Sequence, residues 1–304
     1  MPDRKKQHVL VVVHGARELT AKTHEFLEIL QAQSELELDI HNTRRNHTAR
    51  DIIEGYTDYI NCIVAIGGDG TFHEALNGLM SLQNKPLLAL VPNGTGNDFL
   101  KNFSPFKPED VVNRIVAGKS NAIDCGRLTF ENSERYFINI ADLGFGAEVV
   151  RYMEDQREKK GKANYSKSIL KTFKNYRRQT INYIIDGESK SDELLMFIIG
   201  NGHTFGNGLK ISPEASLVDG TFNLTVIKDV SLFLYLRKLG KIKKGKRIQH
   251  EKVDYLTATK IEFEPQDHQF VEADGELLCA QNLDNAPRTF MSANPKGSSR
   301  DPWN

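Results

Sequence analysis

The sequence predicts two domains of different class. Residues 1–125 read as an α/β domain on a parallel sheet, residues 126–293 as a mainly antiparallel β-sandwich with helical insertions, and residues 294–304 as a loose polar tail. Three observations carry this. Up to residue 125, short apolar β-branched runs alternate with amphipathic stretches, the pattern of βαβ units. Two of those runs end directly in glycine-rich turns, at 67–71 and 92–98. Beyond Gly126, alternating strand patterns are punctuated by Asp186-Gly187, Asp219-Gly220 and Asp274-Gly275, which are hairpin turn signals.

The elements follow in order. Residues 9–13 are an unbroken valine-leucine run and predict a buried first strand. Phe26, Leu27, Ile29 and Leu30 give the next segment a helical apolar face. A strand is expected at 36–40, a helix at 49–56, and a strand from Ile60 into the glycine turn. After the turn, Phe72, Ala75, Leu76, Leu79 and Met80 recur at helical spacing. A strand at 86–92, a helix at 109–117 and a strand at 122–125 complete the domain. The second domain predicts strands at 135–141, 179–186, 194–200, 220–227, 260–264, 269–273 and 288–293. Helical insertions are expected at 151–178 and 232–246, the latter with Leu232, Phe233, Leu236, Leu239 and Ile242 beside a row of lysines and arginines.

Composition bounds the function. A formal net charge of +0 provides no global field that would select nucleic acid or membrane. Cys62, Cys125 and Cys279 are scattered and odd in number, which argues against a disulfide framework and for a reducing, cytoplasmic setting. No cysteine or histidine cluster has zinc-ligand spacing. The apolar run at 9–13 is too short for a signal-peptide core or a membrane span, so no transmembrane segment is expected. Oligomeric state is left open, a homo-oligomer included.

The chemistry concentrates at Gly67-Gly68-Asp69-Gly70-Thr71. A strand, a glycine turn and a helix start make an anion site: glycines admit phosphate oxygens to the backbone, and the helix start offers N–H groups and a positive dipole end. Asp69 adds a carboxylate where phosphates would bring Mg²⁺. The second loop, Pro92-Asn93-Gly94-Thr95-Gly96-Asn97-Asp98, follows a strand of the same sheet, and both would open at strand carboxyl ends, where ligands bind. Thr71 and Thr95 offer hydroxyls to phosphate or ribose, while Asn97 and Asp98 are placed to cap or order the loop. A Walker A loop is absent. The nearest match, Gly240-Lys241-Ile242-Lys243-Lys244-Gly245-Lys246-Arg247, has arginine in place of the metal-binding hydroxyl and no preceding strand.

The two loops together resemble the diacylglycerol kinase catalytic domain, a family that includes soluble bacterial lipid kinases and the sphingosine and ceramide kinases. NAD kinases and 6-phosphofructokinases are similar in the first motif and lack the second, and the resemblance implies their parallel-sheet fold for the first domain. Ile123-Asp124-Cys125-Gly126, Ser212-Pro213-Glu214-Ala215 with Asp219-Gly220, and Asp274-Gly275-Glu276 also resemble family segments, in the family's order, over residues 8–293. The resemblance implies that Gly67, Gly68, Asp69, Gly70, Thr71, Phe72, His73, Thr95 and Thr43 contact ATP. By the same resemblance Asp69 and Asp124 organise a catalytic Mg²⁺ network, Glu276 is the proton acceptor, and Ser216, Asp219 and Thr221 hold a second, structural Mg²⁺. One departure stands out. His14-Gly15-Ala16-Arg17 occupies the place where the family has Asn-Pro-x-x-Gly, which leaves the contact of this loop with nucleotide an open assignment.

The leading expectation is an ATP- and Mg²⁺-dependent kinase of a lipid hydroxyl, diacylglycerol-like by resemblance, with its lipid presented at a membrane surface. The basic amphipathic segment 232–246 suits peripheral contact with a bilayer. A kinase of a soluble substrate, of the NAD kinase type, is the alternative within the enzymes; the Gly-Thr-Gly-Asn-Asp loop counts against it. A weakly catalytic lipid- or nucleotide-binding regulator is the alternative outside them; the retained Asp69, Asp124 and Glu276 count against that.

Overall fold

The computed structural model describes residues 6–130, 133–160, 164–176, 178–206, 208–264, 270–278 and 289–301. The chain divides into two compact units between Asp124 and Cys125, with the stretch from Lys296 grouped with the first.

The first unit is a parallel four-stranded sheet in the order β2-β1-β3-β4. Its strands are β1 (Gln7–Val13), β2 (Leu36–Asn42), β3 (Cys62–Gly67) and β4 (Leu87–Pro92). All six residues of β3 are buried, because a central parallel strand is covered on both faces. Its helices are α1 (Ala21–Gln31), α2 (Ala49–Glu54), α3 (Asp69–Ser81) and α4 (Pro108–Val116). Side chains alternate across the strands. Val9, Val11, Val64, Ile66 and Val91 share one core with Phe26 and Leu30 of α1 and Val111, Val112 and Ile115 of α4. Helices α2 and α3 pack against each other, with Ile52, Ile53, Phe72, Ala75, Leu76 and Leu79 buried. The start of α1 is capped by Thr20, and α2 carries a capping box between Thr48 and Asp51. By contrast, no side chain caps the start of α3.

The second unit is built on a branched eleven-stranded sheet, counted among the described residues, in the order β14-β13-β7-β9-β8-β12-β15-β5-β6, with β10 between β9 and β11. These are β5 (Asn121–Phe130), β6 (Ser133–Phe137), β7 (Ile140–Gly144), β8 (Gln179–Ile185), β9 (Glu188–Gly200), β10 (Phe222–Lys228), β11 (Val253–Ala258), β12 (Lys260–Phe263), β13 (Val271–Ala273), β14 (Glu276–Leu278) and β15 (Thr289–Asp301). The pairings of β7, β8 and β10 with β9 are antiparallel. Strand β9 is buried on both faces from Leu194 onward. Leu194, Phe197 and Ile199 join a core with Leu143, Leu224 and Phe263. Leu195, Met196 and Ile198 join another with Phe145, Val149, Ile169, Tyr235 and Ile242 from α5 (Phe145–Lys160), α6 (Tyr165–Asn175) and α7 (Leu232–Lys243).

Several boundaries differ from the sequence expectation. The strand expected at 135–141 is two strands, broken at Ile138 and Asn139, whose N–H groups turn to the Asp274 carboxylate. The insertion expected at 151–178 starts earlier, at Phe145, and forms two helices. Strand β11 lacks a clean apolar alternation, its residues being mostly half-buried, and so it has no sequence signal. Strand β15 runs to Asp301, through the polar stretch expected to be a loose tail. Cys279 lies outside the described residues.

Candidate functional site

The chain of the first unit moves from β1 outward to β2 and then back to β3 and β4, so the strand order reverses between β1 and β3. Open parallel sheets take ligands at that reversal, beyond the carboxyl ends of the strands. Backbone bonds stitch those ends together. The His14 N–H donates to Ile66 O at 2.9 Å, and the Thr43 N–H to Val13 O at 2.8 Å. Gly15 N–H donates to Thr43 Oγ1 at 3.2 Å. The site residue Thr43 therefore lies against the loop that follows β1.

The two glycine loops touch. Asn93 N–H donates to Gly67 O at 2.6 Å. A Cβ on Gly94 would stand 2.4 Å from Gly68 Cα, so the backbones approach more closely than any side chain permits. The second loop closes on itself through Asn97, which holds a left-handed φ of 49°. Asn97 Oδ1 accepts from Gly94 N–H at 3.1 Å and its Nδ2 donates to Gly94 O at 3.0 Å. Asp69 Oδ1 accepts from Phe99 N–H at 3.1 Å and ties α3 to the far end of the loop. Thr95 Oγ1 accepts from Arg17 Nη1 at 3.3 Å. Gly67, Gly68, Asp69, Gly70, Thr71, Thr95 and Thr43 are thus gathered with Arg17 at one edge of the sheet. The uncapped start of α3 adds its backbone N–H groups and positive dipole end.

Phe72 and His73 face elsewhere. Phe72 is fully buried and its N–H is spent on Gly68 O at 3.0 Å. His73 is buried, with its Nε2 at 3.3 Å from Asn77 Nδ2. Both side chains seat α3 within its own unit. Asp124 is buried on β5. Two further residues matter here: Asn93, without a sequence assignment, and Asp98, expected to cap or order the loop. Asn93 Oδ1 accepts from Thr20 N–H at 2.9 Å and Thr23 Oγ1 at 3.2 Å, while Nδ2 donates to Glu18 O at 3.2 Å. It fixes the β4 loop to the start of α1. Asp98, buried, receives Lys101 Nζ at 2.5 Å.

The metal question can be put to the donor set. A methyl on Gly96 would stand 3.0 Å from Asp69 Oδ2 and 4.0 Å from Asp98 Oδ2. Both carboxylate oxygens face the space that Gly96 leaves open, and hard oxygen donors of this kind suit Mg²⁺. In the second unit, Asp219 Oδ1 accepts from Thr221 N–H and Oγ1, both at 3.0 Å, and Ser216 Oγ accepts from Val218 N–H at 3.4 Å. Ser216, Asp219 and Thr221 form one turn with a single carboxylate, compatible with an ion that keeps most of its waters. No cluster of three or more His, Cys, Asp or Glu ligands occurs among the described residues.

Glu276 opens β14, exposed, directly after the tight turn at Asp274 (φ 55°) and Gly275 (φ 89°). Asp274 anchors that turn. Its buried carboxylate accepts the N–H groups of Ile138 and Asn139, each at 2.9 Å, and of Ile140 at 3.2 Å. Glu276 is therefore an exposed carboxylate on a pinned hairpin.

Paired glycine loops on a parallel sheet, with acidic turns on an antiparallel one, can now be compared with known proteins. Residues 8–128 match the diacylglycerol kinase catalytic domain, and residues 139–290 match the YegS C-terminal NAD kinase beta sandwich-like domain. The chain belongs to the diacylglycerol kinase family of lipid kinases. A diacylglycerol kinase of Staphylococcus carnosus (strain TM300) is 30% identical over 224 residues, 72% of this chain and 71% of that protein. A diacylglycerol kinase of Bacillus subtilis (strain 168) is 28% identical over 218 residues, 70% of each. The crystal structure of a diacylglycerol kinase from Bacillus anthracis str. Sterne shares the fold, with a TM-score of 0.69 at 20% identity over 99% of this chain and 98% of that one. No helix among the described residues is long and apolar enough to cross a membrane.

Proposed function

We propose that this protein transfers the γ-phosphoryl group of ATP, with Mg²⁺, to a hydroxyl of a diacylglycerol-like lipid. The observation that carries this reading is the paired glycine loops, Gly68 against Gly94, beside the reversal point of the sheet, with Arg17 held on Thr95. In this reading the first unit binds nucleotide and the second binds the lipid.

Phosphoryl transfer asks for positioning and charge neutralisation more than for covalent chemistry. The N–H groups at the start of α3 and the hydroxyls of Thr71, Thr95 and Thr43 hold the triphosphate. Arg17 supplies a cation from the loop that stands in place of the family's Asn-Pro-x-x-Gly. Phe72 and His73 contribute by fixing α3. Asp69 and Asp98 would hold the catalytic Mg²⁺, with Asp124 in the same network, and Ser216, Asp219 and Thr221 a structural one. The ion, when bound, neutralises charge on the transferring phosphoryl oxygens. Glu276 accepts the proton of the lipid hydroxyl as that oxygen attacks phosphorus.

The lipid is met at a membrane surface. On α7, Phe233 is 74% and Leu236 40% exposed, beside Arg237, Lys238 and Lys241. Exposed apolar side chains flanked by cations suit an anionic bilayer.

The test is turnover of labelled ATP with extracted total lipid, with mass detection of the product. A phosphorylated diacylglycerol-type lipid is expected, and its loss on chelating Mg²⁺. Label found in NAD instead, or no transfer to any lipid, would sink the proposal.

A further inference from the structure

Asp142 and Glu272 are cross-strand partners on β7 and β13, and both are buried, at 1% and 4% exposure. Each has a different backbone donor. Asp142 Oδ1 accepts from Ala147 N–H, at the start of α5, at 2.9 Å. Glu272 Oε2 accepts from Gly275 N–H, the residue before Glu276, at 2.8 Å. Asp142 Oδ2 is buried and receives no N–H or O–H from another described residue. The group within hydrogen-bonding reach of Asp142 is the Glu272 carboxyl. A methyl on Gly146 would stand 2.0 Å from Asp142 Oδ2, so the chain leaves room for this carboxyl. Two carboxylates cannot hydrogen-bond each other, and two adjacent buried anions are costly. One proton between them satisfies the orphaned oxygen and removes one charge.

We infer that Asp142 and Glu272 hold a single shared proton, and that this bond ties the turn carrying Glu276 to the start of α5. The residue before Glu276 is thereby tied, through Glu272 and Asp142, to the start of α5. On the other side of Glu276, the Leu277 backbone favours the charged form of the α5 residue Glu154. The inference rests on Glu276 being the base only for its catalytic consequence.

The surroundings agree. Burial, before any other cause, raises both carboxyls above their usual range. Beside desolvation, the charges that raise Glu272 are Asp142 and Asp274. The phenols of Tyr176, which follows α6, and of Tyr235 on α7 sense the Asp142 charge, and Glu148 of α5 and Arg178 act on Tyr176 in opposite directions. A carboxyl raised in the folded state binds its proton more tightly there than in the unfolded chain. Its contribution to stability is therefore lost as pH rises through the raised value. On the alkaline side the shared proton leaves, the anions repel, and the turn loses its tie.

The experiment compares the parent protein with Glu272→Gln and Glu272→Leu from neutral to alkaline pH. Glutamine can still accept from Gly275 and donate to Asp142; leucine can do neither. The readouts are hydrogen-exchange protection at Gly275 and Leu277, and the infrared band of a protonated carboxyl. In the parent, the band is expected at neutral pH and should disappear together with Gly275 protection as pH rises. Glu272→Gln should lack the band and keep protection throughout. Glu272→Leu should lose protection at every pH, by about tenfold to a hundredfold, the scale of one hydrogen bond to a charged group. The parent kcat should fall with the band, at unchanged KM, and the glutamine variant should not show that limb. Absence of the band at neutral pH in the parent overturns the shared proton. Equal Gly275 protection in the parent and Glu272→Leu overturns the tie, and should the leucine variant not fold, loss of protection in Glu272→Gln does so instead. If exchange and infrared behave as expected but Glu276→Gln turns over normally, the base assignment fails and the proton-sharing pair stands.

Discussion

Replacing Gly94 by alanine asks whether the two glycine loops must touch. The new Cβ would lie 2.4 Å from Gly68 Cα and 2.6 Å from Asn97 Oδ1. Carbon atoms in contact normally sit about 3.5–4.0 Å apart, so the loops must part by about 1 Å. Neither neighbour yields easily. Gly68 Cα is backbone at the N-cap of α3, and Asn97 is held by two bonds to Gly94 itself. Overpacking of this kind costs about 1–3 kcal/mol of stability. The expected loss of activity is much larger. A misplacement of about 1 Å among groups that position a reacting phosphate costs on the order of 100-fold in rate. Gly94→Ala should therefore melt cooperatively at a somewhat lower temperature and lose on the order of 100-fold in kcat/KM for ATP, read by ADP release with lipid in excess. Ile115→Val is the control. It removes one methyl from a buried α4 position of the same unit, far along the chain from either loop, at about 0.5–1.5 kcal/mol. Retention of kcat/KM within about threefold of the parent in Gly94→Ala, with the fall in melting temperature still present, would refute the reasoning.

Other outcomes follow from the same geometry. Glu276→Gln and Asp69→Asn should each abolish lipid phosphorylation while leaving the melting curve intact, since asparagine still accepts the Phe99 N–H; turnover near the parent level in either would remove that residue from the mechanism. Arg17→Ala should raise KM for ATP about tenfold, the scale of one charge-assisted bond, and an unchanged KM would return Arg17 to the role of a loop cation. Asp274→Ala leaves three N–H groups of the 138–140 break without their acceptor and should cost about 3 kcal/mol or more in denaturant unfolding. Phe233→Ser should weaken sedimentation with anionic vesicles about tenfold or more, and equal binding by the parent and the variant would take α7 out of the interface. Burial pushes the Cys62 thiol up to about 12, so a thiol reagent at neutral pH should label Cys62 only after unfolding.

What the sequence revealed and what it hid differ in kind. Strand β3 and its turn are legible because a central parallel strand is a continuous apolar run and a glycine turn breaks it sharply. The α3 stripe is legible because its burial follows the helical period. Asn93 reads only as part of a turn, yet its amide serves residues 18, 20 and 23, some seventy positions back. Nothing in local pattern encodes those partners. Arg17 meets Thr95 across 78 positions, and Asp142 meets Glu272 through the register of two short strands. A period-of-two pattern states which face a residue takes, not which residue stands opposite.

That distinction bears on the altered loop after β1. By motif alone, His14-Gly15-Ala16-Arg17 has lost the Asn-Pro pair. By structure, its backbone is still bound to both neighbouring strand ends, through His14 N–H to Ile66 O and Gly15 N–H to Thr43 Oγ1. Its one long side chain reaches the hydroxyl of Thr95 on the second glycine loop. The loop therefore stays beside the second glycine loop and presents a cation to it, which in the proposed reading meets phosphate. A guanidinium offers several donors and a full positive charge. Arg17→Lys separates the two contributions. Lysine keeps the charge but not the fork, so an intermediate KM for ATP would mean that Arg17 acts through geometry as well as charge. A KM equal to the parent's would mean that charge alone suffices.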